Sequence, residues 1–210
     1  MVSVIAISRQ FGSGGSQIGR AVAQRLGYRF ADRDILAKAA GALELSPEDV
    51  APMEEHVDGF WARFAQYFAL GSPDTPYMPP AVPVVTNAQV SAAEQRVVRE
   101  VAAAGHAVIV GRGAAHLLTG QRGVLRVFLH APVATRVARA MTEYQMDDTT
   151  AQRTLRELDD TRAAYAHTLS DRPWHDATSY DLCVDTASAG VVGAVELIVA
   201  AAAATGREAR

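Results

Sequence analysis

The sequence contains almost no lysine, one cysteine and no long uninterrupted apolar run. Lys38 is the only lysine among the 20 lysine and arginine residues of the 210-residue chain. Because Cys183 is the only cysteine, no disulfide forms within the chain, and a reducing compartment suits it. The apolar stretch VVGAVELIVAAAAA near the C-terminus is interrupted by Glu196, so we expect it to be too short to span a bilayer and to pack on the domain. We expect no signal peptide, since Met1 leads directly into an apolar run with no basic region before it.

The charge balance and the histidine spacing exclude further classes of protein. The formal net charge of -3 argues against a general nucleic-acid binder or a membrane-surface binder. The six histidines are scattered and show no zinc-ligand spacing with cysteine or carboxylate clusters, so we expect no metal site built from protein ligands alone. These features predict a cytoplasmic protein. They leave its oligomeric state open.

Apolar runs alternate with helical patterns along the chain. Strands are predicted at 2–8, 28–31, 106–111, 124–130 and 180–186. Helices are predicted at 17–26, 88–104, 132–142, 148–168 and 188–204. This alternation indicates a single α/β domain, residues 1–210, with a parallel sheet. Two stretches interrupt the alternation and are interpreted as inserts: 45–90, which is rich in proline, and 143–178, a polar helical segment with several arginines.

A glycine-rich stretch, SRQFGSGGSQIG (8–19), follows the first predicted strand and opens the first predicted helix. It has three interpretations. A dinucleotide-binding GxGxxG loop requires glycine where Gln17 stands, and a plain turn does not require so many glycines. The third is a phosphate-binding loop of the GxxxxGK[ST] type in which Ser16 is the magnesium-binding hydroxyl. In that register Arg9 replaces the first glycine and Gly15 replaces the lysine.

A phosphate loop without its lysine needs another positive charge. A single electrostatic contact to a transition state typically contributes about 3 kcal/mol, roughly a hundredfold in rate. Arginine is suited to this role because its planar fork matches phosphate oxygens. The candidates are Arg9, Arg20 and the arginines of 143–178. A rival register, 14–21, would place Arg20 at the lysine position but would move the loop away from the strand end.

Five segments together resemble the cytidylate kinase-like proteins, a branch of the nucleoside monophosphate kinases. They are ISRQFGSGGSQIGRAVAQRLGYRFADRDIL (7–36), AVIVGRGAAHLL (107–118), VFLHAPVATRVARAM (127–141), LDDTRAAYA (158–166) and YDLCVDT (180–186). The resemblance implies a P-loop kinase-like three-layer sandwich with a five-stranded parallel sheet. It also implies an acceptor-binding insert at 45–90 and a mobile lid at 143–178. ATP as donor, Mg²⁺ and a nucleoside monophosphate as acceptor follow from the same resemblance.

The resemblance also implies roles for individual residues. The loop residues Gly12, Ser13, Gly14, Gly15, Ser16 and Gln17 would bind the donor phosphates, and Ser16 would hold Mg²⁺. Arg136 and Arg139 would meet the donor nucleotide or its phosphates, although a solvated helix face explains their i, i+3 spacing equally well. Arg162 would be the catalytic lid arginine, and Arg112 and Arg139 would be further catalytic residues. Arg112 would bind the acceptor phosphate, and Arg33 and Asp34 would contact the acceptor. Asp185, after the last strand, is interpreted as a structural cap.

One departure from the family pattern leaves the acceptor open. In cytidylate kinases an aspartate that reads the cytosine amino group follows the arginine of the GR segment, whereas Gly113 follows Arg112 here. A missing hydrogen-bond partner strongly changes substrate choice. We therefore consider two hypotheses. The first is an enzyme: a kinase acting on a nucleoside monophosphate, with CMP or dCMP as the leading acceptors, or a kinase for another small acceptor. The second is a catalytically weak or inactive nucleotide-binding regulator with the same fold.

Overall fold

The structure, a computed structural model, describes residues 2–31 and 87–205. In this part of the chain, five strands form one sheet in the order β2-β3-β1-β4-β5, and all neighbouring strands are parallel. The strands are β1 (Val4–Arg9), β2 (Arg29–Ala31), β3 (Ala107–Val110), β4 (Val124–His130) and β5 (Leu182–Asp185). The helices are α1 (Gly15–Leu26), α2 (Asn87–Ala104), α3 (Ala114–Leu117), α4 (Val133–Tyr144), α5 (Asp148–Leu169) and α6 (Thr186–Thr205), with a 3₁₀ turn at Ala177–Ser179.

Alternating side chains of the central strands bury both faces of the sheet. Val4 and Ala6 of β1 belong to a core cluster that includes residues of α2 and α3. Ile5 and Ile7 belong to a second cluster that includes residues of α1 and α6. Because successive side chains of a strand point to opposite faces, the same strand supplies both clusters. Helices therefore cover the sheet on both sides, which confirms the predicted three-layer α/β fold.

The predicted elements lie close to the observed ones, and the differences have local causes. The helix α1 begins at Gly15 rather than at 17, because the glycine loop itself forms the helix start. The short helix α3 and the 3₁₀ turn are too brief to show a periodic pattern. The 143–178 stretch contains one 22-residue helix, α5, whose N-cap Asp147 accepts a hydrogen bond from Thr150 N. Most of the 45–90 insert lies outside the described residues, which resume at the start of α2.

The C-terminal helix α6 is interrupted near its start. It extends over 20 residues, and among the described residues it is long and apolar enough, by length and composition alone, to cross a membrane. Gly190 has non-helical backbone angles, φ 64° and ψ 178°, so the helix is kinked at that residue. Its contacts nevertheless match the predicted packing on the domain, since Ala194 and Ile198 are fully buried with residues of α1 and the sheet. On its polar side, Glu196 Oε1 lies 3.4 Å from Arg25 Nη2 of α1.

Candidate active site at the glycine-rich loop

The glycine-rich loop connects the central strand β1 to helix α1. Gly12 and Gly14 have positive φ angles of 73° and 78°, a region that favours glycine. Gly12 also needs to lack a side chain, because a Cβ there would lie 2.7 Å from the Arg136 carbonyl oxygen. Ser16 lies in the first turn of α1. Arg20, the cation of the rival register, instead places its guanidinium 4.8 Å from the centre of the Phe30 ring.

The start of α1 presents backbone amides to the loop. The first helical hydrogen bond runs from Ile18 N to Gly14 O, at 2.9 Å. The regular helical hydrogen bonding therefore begins after the amides of Gly15, Ser16 and Gln17, which lie at the positive dipole end of the helix. Such a helix start is suited to binding an anionic group such as a phosphate.

Ser13 differs from the other predicted loop ligands. Its side chain is fully buried, and its Oγ donates to the Gln10 carbonyl at 2.7 Å. Its amide donates to the same carbonyl at 3.3 Å. Both Ser13 donors thus stabilise the loop from within, and these contacts give no support to the expectation that Ser13 binds donor phosphate.

Asp159 of α5 and Arg136 of α4 hold the loop from behind. Asp159 Oδ1 accepts from Phe11 N at 2.9 Å, and Asp159 Oδ2 accepts from Arg136 Nη1 at 2.6 Å. The same Nη1 donates to Phe11 O at 3.1 Å, and Arg136 Nε donates to Ala131 O at 3.0 Å. Arg136 is buried and does not line the loop cavity described below. Its contacts are those of a residue that positions the loop, not of the donor-phosphate ligand that the sequence suggests.

Arg139 connects the loop to the start of α6. Its Nη1 donates to Thr186 Oγ1 at 2.9 Å and lies 3.4 Å from Gly12 O, and its Nη2 donates to Thr186 O at 2.9 Å. Arg139 does not line the loop cavity either. The alternative interpretation, that Arg136 and Arg139 lie on a solvated helix face, is also excluded, because both guanidiniums donate hydrogen bonds to other residues of the protein.

A cavity of about 100 Å³ lies in front of the loop. Arg162 of α5 reaches into it, and its Nη1 donates to the Arg9 carbonyl at 3.1 Å. The structure thus brings the predicted lid arginine and the loop amides to one cavity, whereas Arg153 and Arg156 of the same helix are exposed. The lining residues are Arg9, Gln10, Phe11, Gly12, Gly14, Gly15, Ser16, Gln17, Glu143, Tyr144 and Arg162.

Glu143 and Tyr144, at the end of α4, are site residues that the sequence does not reveal. The Tyr144 ring stacks on Phe11, with ring centres 5.3 Å apart. Burial and the nearby Glu143 carboxylate raise the pKa of the Tyr144 phenol, while Arg162 and Arg9 oppose that change. The hydroxyl therefore stays protonated at neutral pH. No motif marks these two residues, because they come together with the loop only when α4 packs beside it.

The predicted acceptor residue Arg112 lies in the connection between β3 and α3. It has a positive φ of 53°, and its Nη1 donates to Glu94 Oε1 of α2 at 2.9 Å. Both side chains are largely buried, so Arg112 is anchored and is not a surface arginine. It does not line the loop cavity. The other predicted acceptor residues, Arg33 and Asp34, lie outside the described residues.

Gly113 is closely covered by the C-terminal end of α5. A Cβ at this position would coincide with Leu169 Cδ1 and would lie 3.1 Å from Tyr165 Cε1. Its φ is 61°, in the left-handed region. The place where cytidylate kinases are expected to carry an aspartate therefore has no room for a side chain here.

Asp185 is the structural cap that the sequence predicts. Its Oδ1 accepts from Ala187 N and its Oδ2 from Ser188 Oγ, each at 2.9 Å. These hydrogen bonds lower the pKa of the Asp185 carboxyl, the bond from Ala187 N most of all. The carboxylate is thereby used to start α6.

The donor set of the loop fits a magnesium nucleotide. Within residues 2–31 and 87–205, no group of three or more histidine, cysteine, aspartate or glutamate side chains is arranged to hold a metal ion. Ser16 is exposed in the first turn of α1, next to the amides that suit phosphate. A Mg²⁺ ion at this loop would therefore be held by the Ser16 hydroxyl together with phosphate oxygens of the nucleotide.

The sequence pattern of the cytidylate kinase-like family matches residues 4–188. The chain belongs to the cytidylate kinase-like family. This assignment confirms the resemblance described above and covers the loop, the GR segment, α4, α5 and β5. No curated protein matches the chain in sequence.

Solved structures of low sequence identity share the fold of this family member. An uncharacterized protein from Eubacterium ventriosum has a TM-score of 0.67 at 19% identity, over 95% of this chain and 97% of that one. A gluconokinase from Sinorhizobium meliloti has a TM-score of 0.58 at 18% identity, over 98% and 94%. A shikimate kinase from Bacteroides thetaiotaomicron has a TM-score of 0.52 at 15% identity, over 93% and 95%. The fold is thus that of P-loop kinases.

Proposed function

We propose that this cytidylate kinase-like protein transfers the terminal phosphoryl group of Mg-ATP to a small acceptor. The observation that carries the proposal is the loop cavity, where the amides at the start of α1 and the Arg162 guanidinium face the same space. Phosphoryl transfer requires positioning and neutralisation of charge more than covalent chemistry. Loop amides, the Ser16 hydroxyl and converging arginines supply both. Bound Mg²⁺ would neutralise charge on the transferring phosphate.

The first acceptors to consider are CMP and dCMP, because the family assignment points to nucleoside monophosphates. Arg112 is the residue for the acceptor phosphate in this proposal, with Arg33 and Asp34 beside it. The nucleotides are then the only partners proposed, with no nucleic acid and no membrane, in a cytoplasmic protein.

A second candidate is transfer to a small acceptor that is not a nucleotide. Two observations favour it: Arg112 is already paired with the buried Glu94, and Gly113 is covered by apolar atoms of α5. At position 113, where the cytidylate kinase pattern has an aspartate, no side chain is present to accept from the cytosine amino group. Kinases of similar fold include proteins named for gluconate and shikimate.

The test is ADP release from Mg-ATP across a panel of nucleoside monophosphates, their deoxy forms, gluconate and shikimate, with a blank that lacks acceptor. Release that depends on CMP or dCMP supports the first candidate. Release that depends on gluconate, shikimate or another hydroxyl compound supports the second. Tight ATP binding without release for any acceptor supports the nucleotide-binding regulator, and absence of both binding and release contradicts the assignment of the loop to ATP.

A further inference from the structure

The side chain of Arg9 runs from the end of β1 across the start of α1. A Cβ at Gly15 would lie 2.6 Å from Arg9 Cγ and 2.8 Å from Arg9 Cβ. Both distances are shorter than nonbonded carbon atoms tolerate, since the optimum is about 3.5–4.0 Å. Arg9 therefore fills the space in which a side chain at position 15 would begin.

The guanidinium end of Arg9 lies against a second glycine, Gly111, directly after β3. A Cβ at Gly111 would coincide with Arg9 Nη1 and would lie 2.9 Å from Arg9 Cζ. β3 is the neighbour of β1 in the sheet, and it leads to the connection that carries Arg112. The Arg9 charge thus lies between the glycine-rich loop and the segment assigned to the acceptor.

The same two positions differ from the common phosphate-loop motif. In GxxxxGK[ST] the first position is glycine and the seventh is lysine, which reaches the β- and γ-phosphates. In this chain Arg9 occupies the first position and Gly15 the seventh. The two departures form a reciprocal exchange of a cation and a glycine, and the Arg9–Gly15 contact links them physically.

The electrostatics of the cavity agree with this placement. Arg9 and Arg162 both line the cavity, and both favour the ionised form of the Tyr144 phenol. Their positive charges therefore act on the same space in front of the loop amides. Arg20 does not line the cavity, so it is not the substitute cation.

We propose that Arg9 supplies from the end of β1 the charge that a phosphate-loop lysine supplies from the first turn of the helix, and that Gly15 is required because it leaves room for Arg9. This inference rests on the proposed function, since the charge acts on the β- and γ-phosphates of ATP. It assigns Arg9 as a phosphate-binding residue whose planar fork engages two oxygens at once.

The test is a double-mutant cycle of wild type, Arg9→Gly, Gly15→Lys and the double variant, which carries the common motif in full. Mg-ATP affinity is measured by calorimetry and turnover by ADP release with the acceptor found in the panel. We expect Arg9→Gly to weaken ATP binding about ten- to a hundredfold, as for loss of one hydrogen bond to a charged group. We expect Gly15→Lys to bind ATP at least as weakly as Arg9→Gly does, because the new side chain collides with Arg9. The double variant should recover most of the loss in affinity and in turnover.

Arg20→Ala is the matched control, since it removes an arginine next to the loop that does not line the cavity, and it should leave ATP affinity unchanged. Circular dichroism and thermal melting establish that each variant is folded. If the double variant does not fold, Gly15→Ala replaces it: the added methyl group displaces Arg9 without adding charge, and ATP affinity should fall.

The outcomes separate this inference from the proposed function. Three results would each overturn the role of Arg9 and leave the kinase proposal in place. The first is wild-type ATP affinity and turnover in Arg9→Gly. The second is a folded double variant that binds ATP as weakly as the single variants, and the third is unchanged ATP affinity in Gly15→Ala. Absence of both ATP binding and ADP release in the wild type overturns the kinase proposal itself, and the Arg9 role with it.

Discussion

Asp159 is the residue through which α5 fixes the glycine-rich loop. Its carboxylate accepts from Phe11 N and from Arg136 Nη1, and the ion pair is buried, with the two side chains 12% and 7% exposed. A buried guanidinium that loses its carboxylate is left without a counter-charge. Removing one partner of such a pair destabilises proteins by about 3–5 kcal/mol.

We therefore expect Asp159→Asn to lower the free energy of unfolding by about 3 kcal/mol and to weaken ATP binding, because Phe11 and the loop lose their fixed position. Urea denaturation followed by circular dichroism measures the first effect. Asp160→Asn is the control, since Asp160 is the exposed neighbour on the same helix. An unchanged denaturation midpoint in Asp159→Asn would mean that the pair does not hold the loop.

Arg162 is the residue that separates an enzyme from a regulator. Its guanidinium faces the loop cavity, and a preorganised donor aimed at developing charge is typically worth about 10²–10³ in rate. We expect Arg162→Ala to lower turnover by this factor while ATP affinity falls much less. Steady-state ADP release and calorimetry measure the two quantities. Arg156→Ala, on the exposed side of the same helix, should behave as wild type; equal losses of turnover in both variants would contradict the assignment.

At the scale of elements, the contact between the β3–α3 connection and the end of α5 depends on Gly113. A methyl group there meets Leu169 and Tyr165, and the residue has a positive φ of 61°. Gly120 provides a matched control, because its φ is 77° and no atom lies within 4 Å of an added Cβ. Gly113→Ala and Gly120→Ala both introduce backbone strain, but only Gly113→Ala also introduces a steric clash.

We expect Gly113→Ala to lower the free energy of unfolding by about 2–4 kcal/mol and Gly120→Ala by about 1 kcal/mol, the difference being the cost of overpacking. Thermal melting and urea denaturation give both values. Similar losses in the two variants would show that α5 moves away from the connection at little cost. In that case Gly113 would not limit what the acceptor side can hold.

The sequence predicts the elements of this fold well, because strands and long helices leave periodic apolar patterns. It also predicts the glycine-rich loop between β1 and α1 from a motif, and it singles out Arg162, which lines the loop cavity, from the family resemblance. It does not predict how Arg136 and Arg139 are used. Their spacing shows that they share a helix face, but only the packing of α4 against the loop and α6 shows that this face meets carbonyl groups and Asp159.

The path of Arg9 illustrates the same limit. The sequence shows an arginine and a glycine at unexpected positions of one motif, and Arg9 is one of several candidate substitutes. Only the structure shows that the Arg9 side chain lies within a few ångströms of the place that a Cβ at Gly15 would occupy. Such a contact has no sequence signature in a single chain.

At the scale of the whole molecule, a buried histidine links stability to pH. His116 of α3 lies within hydrogen-bond distance of Ser170 Oγ and Tyr180 Oη, at 2.8 Å and 3.0 Å. Burial lowers the His116 pKa below its ordinary value of 6.5, and the charges of Arg126 and Arg172 lower it further. In the unfolded chain the histidine binds a proton at a higher pH than in the folded chain. Its contribution to stability is therefore complete above pH 6.5 and is lost as the pH falls from there toward the folded-state pKa.

We expect the free energy of unfolding to decrease below pH 6.5 with a slope from this group of up to about 1.4 kcal/mol per pH unit. His116→Gln should show a shallower slope between pH 7 and pH 5, whatever its stability at pH 7. Urea denaturation at several pH values measures both slopes. His167→Gln, at an exposed position of α5, is the control and should keep the wild-type slope. The same slope in wild type and in His116→Gln would show that another group is responsible.

Carboxylate groups affect the free energy of unfolding in a separate and more acidic pH range. Burial alone would raise the pKa of Asp181, but side-chain and backbone hydrogen bonds from Arg126 together hold it below its ordinary value of 3.8. The stability from this pair is therefore present above pH 3.8 and is lost as the pH falls below that value. Denaturation curves that extend below pH 4 should thus show a second decrease, distinct from that of His116.

The exchange of cation and glycine at positions 9 and 15 leaves the glycine-rich loop without a primary amine. Acetylation removes charge from lysine, and a lysine amine deprotonates at about pH 10.4, whereas arginine stays protonated in proteins. We therefore expect the proposed nucleotide binding at this loop to be insensitive to acetyl donors and to amine-directed labels, and the charge of Arg9 to persist in alkaline solution. The reagents expected to modify the loop are instead dicarbonyl compounds, which react with guanidinium groups.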